Sequence, residues 1–541
     1  MNKSICLLLF TIFSQSLFAQ SAETGGSDYL LYILLAVVVI ALFAIIIQVS
    51  DNMLIIEAQR QGADGSGANF GIFPRMSEIF KNPVPEYVQD GSFTALKKGF
   101  DILLEGEAES KVLDKTVSTF AVQPPNFIGM QPIPKVVVGE GDQVKAGDPL
   151  FFDKNRPEIL YGAPVSGEII EIRRGERRAI EAVVILADKE VQYRQFAAFD
   201  LENSSRDELV AYLLDGCVWP FIRQRPYDVI ADPKDVPSNI FISTFDTAPL
   251  APDLNIVVEG KGAAFQKGLD VLARLTPGKV HIGLNANAAT APSEVFTGAQ
   301  GVEKHWFKGQ HPAGNVGVQI HHIAPVKPKD RVWVLGVQDV LTIGTLFLEQ
   351  RFDAGRVVAV VGAEVNAPAY IRTWQGAKLE DLVKDNLSNT HVRYISGDVL
   401  SGKQKHLDSF LNFYDDQLTV VKEGDDYELF GWLAPQEPRP SISKTYLNFL
   451  FPDSRFKAST NTRGEKRAFV VTGDYERLLP MDIYPQHLIK AVINGDYESM
   501  EGLGIKELVE EDIALCEFAC LSKQELQKTL REGLELMRAE E

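Results

Sequence analysis

The chain has 541 residues, enough for about three or four compact domains. Hydrophobic residues make up 45% and charged residues 23%, which favours a folded body over a disordered chain or a membrane protein with many spans. The 54 basic and 73 acidic side chains give a formal net charge of −19, which argues against a nucleic-acid binder, and four scattered cysteines do not make a disulfide scaffold. The main body is therefore expected to be reduced and cytosolic.

The N-terminal segment carries membrane-targeting patterns. Residues 1–20 have the layout of a signal peptide, with an apolar run and a small residue at Ala19. From Tyr29 to Ile47 no side chain is charged, so a transmembrane helix of about 28 Å is predicted over residues 29–48. Basic residues follow this segment, which predicts a body on the cytoplasmic side of a bacterial inner membrane; export of the body is the alternative. Residues 49–92, rich in Gly and Pro, are predicted to form a linker.

Residues 93–195 are predicted to form a small barrel of hairpins. Between residues 136 and 187, short β-branched runs alternate with Gly-Asp turns, which tolerate left-handed backbone conformations. This pattern resembles the biotinyl/lipoyl barrel-sandwich hybrid fold. In carrier proteins of that fold a hairpin-tip lysine receives the prosthetic group, and Lys154 is the candidate here. The altered spacing around Lys154 favours an ordinary surface lysine, so no covalently bound cofactor is expected.

The rest of the body is predicted to be a multidomain α/β protein with a helical C-terminus. In residues 196–335, helical and strand patterns alternate as in a Rossmann-like α/β layer. Residues 336–445 contain strand, strand, short helix and strand patterns, an order that resembles the ubiquitin-like, soluble-ligand-binding β-grasp domain. Residues 446–541 are predicted to be largely helical, and the last helix has apolar residues at helical spacing: Leu526, Leu530, Leu534 and Met537.

Six short motifs spread from residue 97 to residue 520 carry a family resemblance. They are Lys97–Asp101, Arg174–Arg178, Gly309–Gly314, Ser396–Leu400, Glu428–Trp432 and Leu515–Cys520. With the domain order, they make the body similar to the A-subunit family of the sodium-translocating NADH:quinone oxidoreductase. The resemblance implies a complex that couples NADH oxidation and quinone reduction to sodium export, with quinone as substrate. It also implies that FMN, NADH and iron–sulfur sites lie in other membrane and flavin subunits, and that the isolated chain is inactive. The N-terminal membrane segment departs from the family pattern.

The domain order is also similar, more distantly, to the flavin- and NADH-binding subunit of respiratory complex I. That relative holds phosphates in a glycine-rich loop, because residues without Cβ let backbone N–H groups surround a phosphate. The corresponding stretch here, Arg223–Asp228, has no glycine and contains Pro226, and an acidic loop after the next strand survives only around Asp246. The resemblance therefore implies a flavoprotein-like fold that has lost its flavin and NADH sites. Cys516 and Cys520 lie four residues apart in an apolar helical pattern, which favours core thiols over a metal site.

The resemblance places a quinone pocket near a cluster of histidines. His311 and His321 are the candidate hydrogen-bond donors, and Trp306 and Phe307 are the candidate apolar walls. The turn that includes Pro312 and Gly314 completes this candidate site. The alternative is that His311 only caps that turn and that His321 and His322 belong to a strand. The histidine spacing fits no common zinc motif, and no catalytic side chain is predicted.

Four arginines in an acidic chain form a second candidate site. Arg173, Arg174, Arg177 and Arg178 are predicted to lie on a hairpin, either simply solvated or docked on an acidic face of a partner. Two other functions remain open. A periplasmic adaptor would need a long helical hairpin between its barrel halves, but Leu150 and Ala163 are close in sequence. An active NADH-binding flavoprotein would need the missing glycines.

Overall fold

The computed structural model describes residues 34–39 and 84–540, apart from 328, 429, 432–437, 443–449 and 452. The chain divides into two compact units, Met1–Val84 and Pro85–Glu541. In the first unit, residues 34–39 are helical and exposed. The signal-peptide-like segment, most of the predicted transmembrane helix and most of the linker lie outside the described residues. Within the described part of the chain, no helix combines the length and the hydropathy that a membrane crossing requires.

The second unit begins with nine strands, mixes helices and strands from Arg206 to Lys422, and ends in four helices. The strands are β1 (Ser92–Ala95), β2 (Glu109–Asp114), β3 (Thr119–Val122), β4 (Lys135–Val136), β5 (Gln143–Val144), β6 (Pro149–Asp153), β7 (Arg156–Gly162), β8 (Gly167–Arg174), β9 (Ile180–Ala187), β10 (Arg223–Arg225), β11 (Val229–Ile230), β12 (Asn239–Ser243), β13 (Val280–Asn285), β14 (Glu303–Lys308), β15 (Val332–Leu335), β16 (Gly355–Val361), β17 (Ala369–Trp374), β18 (Val392–Ser396), β19 (Lys403–Lys405) and β20 (Gln417–Lys422). The helices are α1 (Arg206–Asp215), α2 (Leu254–Val257), α3 (Gly262–Ala273), α4 (Glu294–Thr297), α5 (Val316–Ile323), α6 (Val337–Glu349), α7 (Leu379–Val383), α8 (Pro485–Asn494), α9 (Tyr497–Gly502), α10 (Glu510–Ala519) and α11 (Leu526–Glu540).

The barrel-sandwich region consists of two small antiparallel sheets. One sheet has the strand order β3-β9-β8-β5, and the other has the order β4-β6-β7. Their inward side chains, such as Phe151 and Ile185, are fully buried because alternate residues of each strand face the interior. Lys154 lies exposed at the turn between β6 and β7. The hairpin between β8 and β9 carries the four arginines.

The α/β region is built on a seven-stranded sheet in the order β1-β14-β13-β12-β15-β10-β11. Strands β1, β14, β13, β12 and β15 are parallel, while β10 and β11 form an antiparallel edge. The central strands read as continuous apolar runs, for example Ile240–Ile242, because helices cover both faces of a parallel sheet. Helices α3 and α6 pack closely against each other on one face.

The next region contains a six-stranded mixed sheet in the order β19-β18-β20-β16-β17-β2, with the short helix α7 after β17. The predicted order of strand, strand, short helix and strand occurs here as β16, β17, α7 and β18. The sheet also includes β2, from the start of the barrel region, which pairs in parallel with β17. That pairing joins segments far apart in sequence, and it has no local signal in the sequence.

The C-terminal region is helical from α8 to α11, whereas its described residues from 450 to 484 contain no α-helix, so the helical prediction for residues 446–541 was too long. Leu526, Leu530 and Leu534 of α11 are at most 1% exposed and belong to a second hydrophobic core. This core also includes Phe307 of β14 and Val318 of α5. The helical region is therefore packed directly against the α/β region, on the side where β12 and β14 end.

Candidate functional site: a cavity at the switch point of the parallel sheet

The strand order places a switch point between β12 and β15. From β12 the chain proceeds to β13 and β14 on one side, and then crosses to β15 on the other side of β12. In open α/β sheets the crevice at the carboxyl ends of such strands is where ligands bind. A cavity of about 260 Å³ lies at this place in the described residues.

Four parts of the fold line this cavity. They are the loop after β12 (Ser243, Phe245, Asp246, Ala248), the start of α5 and the loop before it (His311, Gly314, Asn315, Val316), the junction of β15 and α6 (Val334–Val337), and loops of the six-stranded sheet (Gly397, Asp398, Leu400–Gly402, Tyr414–Gln417). Arg223 of β10, Glu511 and Ala514 of α10, the loop residue Pro252 and Leu254 at the start of α2 complete the wall. Three regions of the body thus meet at one cavity, which is a common location for ligand sites.

His311 is the buried aromatic donor of the cavity wall. Its residue surface is 3% exposed, and its backbone N–H donates to the Asp101 carboxylate at 2.8 Å. The ring Nδ1 lies 3.2 Å from Oγ1 of Thr247, which also accepts a hydrogen bond from the N–H of Gly314 at 3.0 Å. The ring Nε2 is buried and has no hydrogen-bond partner among the residues that the structure describes. Burial lowers the pKa of His311, against the opposing effect of Asp246, so the neutral ring is favoured.

The hydrogen bonds of Thr247 agree with one tautomer of His311. The Thr247 hydroxyl accepts from Gly314, and its own proton finds an acceptor if His311 Nδ1 is unprotonated. In that tautomer the neutral ring carries its proton on Nε2. Nε2 is then a buried N–H group without a partner among the described residues.

Arg223 supplies a second buried donor. One terminal nitrogen donates to Asp228 at 2.9 Å, and the guanidinium lies 5.0 Å above the ring of Tyr414. Its Nε is buried without a hydrogen-bond partner. Arg223 was not selected as a site residue from the sequence, because its importance depends on how β10 pairs with β15.

The cavity wall is rich in carboxylates. Asp246 and Asp398 lie near His311, and Asp416 and Glu511 lie elsewhere in the wall. Asp246 keeps an exposed face, but the surrounding protein still raises its pKa by removing water, and Asp398 adds to this increase. Burial raises the pKa of Asp416 to about 6, against the opposing effect of Arg356. In the sequence, Asp246 is noticeable only as the remnant of an acidic loop. Its position just after a parallel strand is the signal that could have identified it as a site residue.

The stretch that would correspond to a phosphate loop is filled by an ion-pair network. The side chain of Arg225, 2% exposed, pairs with Glu511 at 2.8 Å and with Asp512 at 3.1 Å. Tyr227 is 4% exposed and belongs to the core of the helical region. Although burial raises the pKa of Asp228, the guanidinium groups of Arg223 and Arg225 hold it below its usual range. Carboxylates therefore already pair with these arginines. Because a phosphate would compete with those carboxylates for the same donors, this stretch does not fit a flavin phosphate.

The predicted quinone-site residues separate into two groups. His311 and Gly314 line the cavity. Trp306 and Phe307 lie in β14 with 1% and 0% exposure, and Trp306 donates from its indole nitrogen to the carbonyl of Asp90. Pro312 follows His311 in the turn but is absent from the cavity lining.

His321 and His322 lie in helix α5, so their assignment to a strand was wrong. Val316, Val318 and Ile320 occupy every second position, a pattern that is typical of a strand. The segment nevertheless forms a helix, and Val318 packs in the core that α5 shares with the helical region. His321 contacts Glu507 at 2.8 Å, and His322 contacts the carbonyl of Pro480 at 2.7 Å. Both histidines join α5 to the helical region and do not line the cavity.

The arginine hairpin and the cysteines lie away from the cavity. Arg174, Arg177 and Arg178 are exposed, while Arg173 is half-buried and pairs with Glu171 at 3.1 Å. Cys516 and Cys520 are both 1% exposed core residues, as predicted. The Tyr475 hydroxyl lies 2.8 Å from the sulfur of Cys520. Within the described residues, no group of histidine, cysteine and acidic side chains is arranged to hold a metal ion.

The fold and the cavity define a class: a multidomain α/β protein with a barrel-sandwich region and a cavity at the switch point of its parallel sheet. Family models match three parts of the chain. They are the NqrA N-terminal barrel-sandwich hybrid domain over residues 94–188, the NqrA second alpha/beta domain over residues 204–352, and the NQRA C-terminal domain over residues 357–406.

The chain belongs to the A-subunit (NqrA) family of Na(+)-translocating NADH-quinone reductase, as the sequence motifs indicated. It is 39% identical over 449 residues to the family member of Neisseria meningitidis serogroup B, covering 82% of this chain and 99% of that protein. It is 40% identical over 443 residues to the family member of Yersinia pestis bv. Antiqua, covering 81% of this chain and 98% of that protein. Among solved structures, an air-oxidised NAD+-reducing [NiFe]-hydrogenase aligns at 12% identity and a TM-score of 0.32, over 65% of this chain and 67% of that chain. That similarity is too low to support a functional argument.

Proposed function

We propose that this chain contributes a quinone-binding site to a membrane-bound, Na+-translocating NADH:quinone oxidoreductase. Its relatives are named as the A-subunit of that reductase. In this proposal the complex couples NADH oxidation and quinone reduction to sodium export. FMN, NADH and iron–sulfur sites belong to other subunits, which agrees with the filled phosphate-loop stretch around Arg225.

The buried Nε2 of His311, which has no partner among the described residues, is the observation that carries this proposal. A quinone carbonyl only accepts hydrogen bonds, so its site must supply donors. His311 offers a buried donor without a protein partner, and Arg223 Nε offers a second. An unused buried donor costs about 1–3 kcal/mol, which a ligand oxygen would recover on binding.

The size of the cavity agrees with a ring-sized ligand. Its volume of about 260 Å³ lies just below the roughly 300–1,000 Å³ of pockets that enclose drug-sized molecules. Phe245, Val334 and Leu335 add apolar surface to the wall. The ring of a quinone would fit there, and a long isoprenoid tail would extend beyond the cavity. Pro312, His321, Trp306 and Phe307 then act as supports of the surrounding loops and helices rather than as contacts.

Two further features belong to this proposal. The apolar segment at residues 29–48 anchors the chain in the bacterial inner membrane, with the body on the cytoplasmic side. The hairpin tip docks on an acidic face of another protein of the complex. Arg177 and Arg178 adopt φ values of 53° and 64°, and left-handed backbone at two successive non-glycine residues is often retained for function.

Replacement of His311 tests the quinone site. The full-length chain in detergent is titrated with a short-tailed quinone analogue by calorimetry, and thermal unfolding is measured on the same samples. His311→Ala should weaken binding by about 1–2 kcal/mol, roughly 5- to 30-fold, because one hydrogen bond in a partly dry pocket is lost. His487→Ala, at an exposed histidine of α8, is the matched control and should bind normally.

Unchanged analogue affinity in a well-folded His311→Ala protein would exclude this residue from a quinone site. If the melting temperature fell while binding per folded molecule stayed the same, the role of His311 would be to hold the loop at residues 311–317. The docking role would then be the better account of the chain.

A further inference from the structure

The segment after strand β1 runs along the loop of residues 309–314, which carries His311. Strand β1 pairs with β14 as far as Lys308, and the N–H of Leu96 then donates to the carbonyl of Lys308 at 2.7 Å. The first of the family motifs, Lys97–Asp101, follows directly. In the sequence this motif indicates only the family, whereas in the structure it lies beside the cavity wall.

Two hydrogen bonds and one close approach join this motif to His311. Oδ1 of Asp101 accepts from the backbone N–H of His311 at 2.8 Å. The carbonyl of His311 accepts from the N–H of Phe100 at 2.9 Å. A Cβ on Gly99 would lie 2.4 Å from that carbonyl oxygen, and Gly99 has a φ of 129°, so glycine is required there. The motif therefore holds both backbone polar groups of His311.

The motif is itself fixed to the helical region. The N–H of Gly99 donates to the carbonyl of Arg477 at 3.3 Å. Beyond the motif, Ile102 and Leu104 are 7% and 3% exposed and belong to the second hydrophobic core. Because the chain is anchored on both sides of Asp101, this exposed residue presents its carboxylate from a fixed position.

The loop held by the motif forms part of the cavity wall. It contributes His311 and Gly314 to the lining. Thr247 holds the same loop from the other side, through the N–H of Gly314 at 3.0 Å and the ring Nδ1 of His311 at 3.2 Å. A wall segment that is held before the ligand arrives saves the cost of ordering it on binding.

We propose that Asp101 is a positioning residue of the cavity: its carboxylate holds the backbone of His311, and with it the loop of residues 309–314, where the ligand binds. Asp101 is absent from the cavity lining, so it acts through the loop. The effect does not depend on which atom of His311 meets the ligand, because the wall segment moves with its backbone. This inference rests on the proposed quinone site and adds a residue that fixes the geometry of that site.

Removal and restoration of the acceptor at position 101 test this inference. The full-length chain in detergent is titrated with a short-tailed quinone analogue by calorimetry. Asp101→Ala should weaken binding about three- to tenfold, because the ligand must then order the loop. Asp101→Asn restores an oxygen for the N–H of His311 and should keep most of the wild-type affinity.

Hydrogen exchange measures the same contact without a ligand. The N–H of His311 should exchange faster in Asp101→Ala than in the wild type or in Asp101→Asn, as followed by mass spectrometry of peptides that span residues 309–314. Asp142→Ala is the matched control. Asp142 is an exposed aspartate of the barrel region, and its Oδ2 accepts from the N–H of Gly139 at 2.7 Å. Loss of that hydrogen bond should leave both measurements unchanged.

A glycine variant tests the loop position independently. Gly99→Ala pushes on the carbonyl of His311 and should also weaken analogue binding. Gly141→Ala is its control, because Gly141 has a φ of 90° but a Cβ there would meet nothing within 4 Å. The comparison separates displacement of the loop from backbone strain, and thermal melting shows that each variant is folded.

An Asp101→Ala protein that binds the analogue as tightly as the wild type would overturn this inference and leave the quinone site standing. Equal losses of affinity in Asp101→Ala and Asp101→Asn would also overturn it, since the charge and not the hydrogen bond would then be required. Unchanged exchange at His311 in Asp101→Ala would do the same. A wild type that binds no analogue would refute the proposed quinone site itself, and the inference with it.

Discussion

A single glycine allows the two loops of the cavity wall to touch. A Cβ placed on Gly314 would lie 2.6 Å from the backbone nitrogen of Thr247 and 2.9 Å from Cα of Asp246. Glycine in a tight turn often adopts positive φ, which would be the first explanation from the sequence. Gly314 does not have positive φ, and the close approach of the loop after β12 is the reason for its glycine.

Gly314→Ala should therefore disturb both stability and binding. We expect the free energy of unfolding to fall by about 1–3 kcal/mol, because backbone atoms must move to admit the methyl group. Displacement of Asp246 and Thr247 should also weaken quinone-analogue binding. Urea denaturation and calorimetric titration measure the two effects.

Gly502 provides the matched control. It is the last residue of α9, and a Cβ there would meet nothing within 4 Å. Gly502→Ala should be neutral or slightly stabilising. If Gly314→Ala were equally harmless, the loop contact would not constrain the cavity.

At the scale of elements, an ion-pair network joins β10 to α10. Arg225 of β10 reaches Glu511 and Asp512, and Asp512 also accepts from the N–H of Val509 at the start of α10. The side chain of Asp512 is fully buried, and burial raises its pKa against the opposing effect of Arg225. The network holds the helical region against the edge of the parallel sheet.

Removal of one charge from this network should destabilise the body strongly. Asp512→Asn keeps a side-chain oxygen that can accept from the N–H of Val509, but it removes a negative charge that balances the buried guanidinium of Arg225. We therefore expect the free energy of unfolding to fall by about 3 kcal/mol or more. Adding Arg225→Met should recover part of that loss, because the uncompensated charge is removed. Urea denaturation of the single and double variants measures this difference.

An exposed pair gives the reference for this experiment. Lys279 and Glu303 are 3.7 Å apart, with side chains 67% and 53% exposed. Glu303→Gln should cost about 0–1 kcal/mol, because water screens the pair. A similarly small effect of Asp512→Asn would show that the network does not hold the helical region in place.

At the scale of the whole molecule, two proposed features would attach the chain to the membrane complex. They are the apolar segment at residues 29–48, proposed as an anchor, and the exposed arginine hairpin, proposed as a docking surface. Each can be removed without changing the core of the unit Pro85–Glu541.

Deletion of residues 1–48 should release the chain into the soluble fraction in cells that lack the other proteins of the complex. In cells that contain those proteins, the truncated chain should stay with the membranes, because docking replaces the anchor. Arg177→Glu combined with Arg178→Glu should then reduce this retention. Fractionation and immunoblotting of the three cases give the measurement.

Lys154→Glu, at another exposed hairpin tip, is the control for a general change of charge. Persistent sedimentation of the truncated chain without partners would indicate a second lipid contact. Retention that is insensitive to the arginine changes would place the docking surface elsewhere.

The sequence by itself determined the family through six short motifs, and it predicted the helical end of the chain. Apolar periodicity acts over a few positions, so the leucines of α11 could be assigned to a buried helix face from the sequence. Only the tertiary structure decided the composition of the cavity wall. Asp246, Arg223 and Glu511 meet His311 because the crossover from β14 to β15 brings distant loops to one sheet edge, and no local pattern encodes which loops will meet.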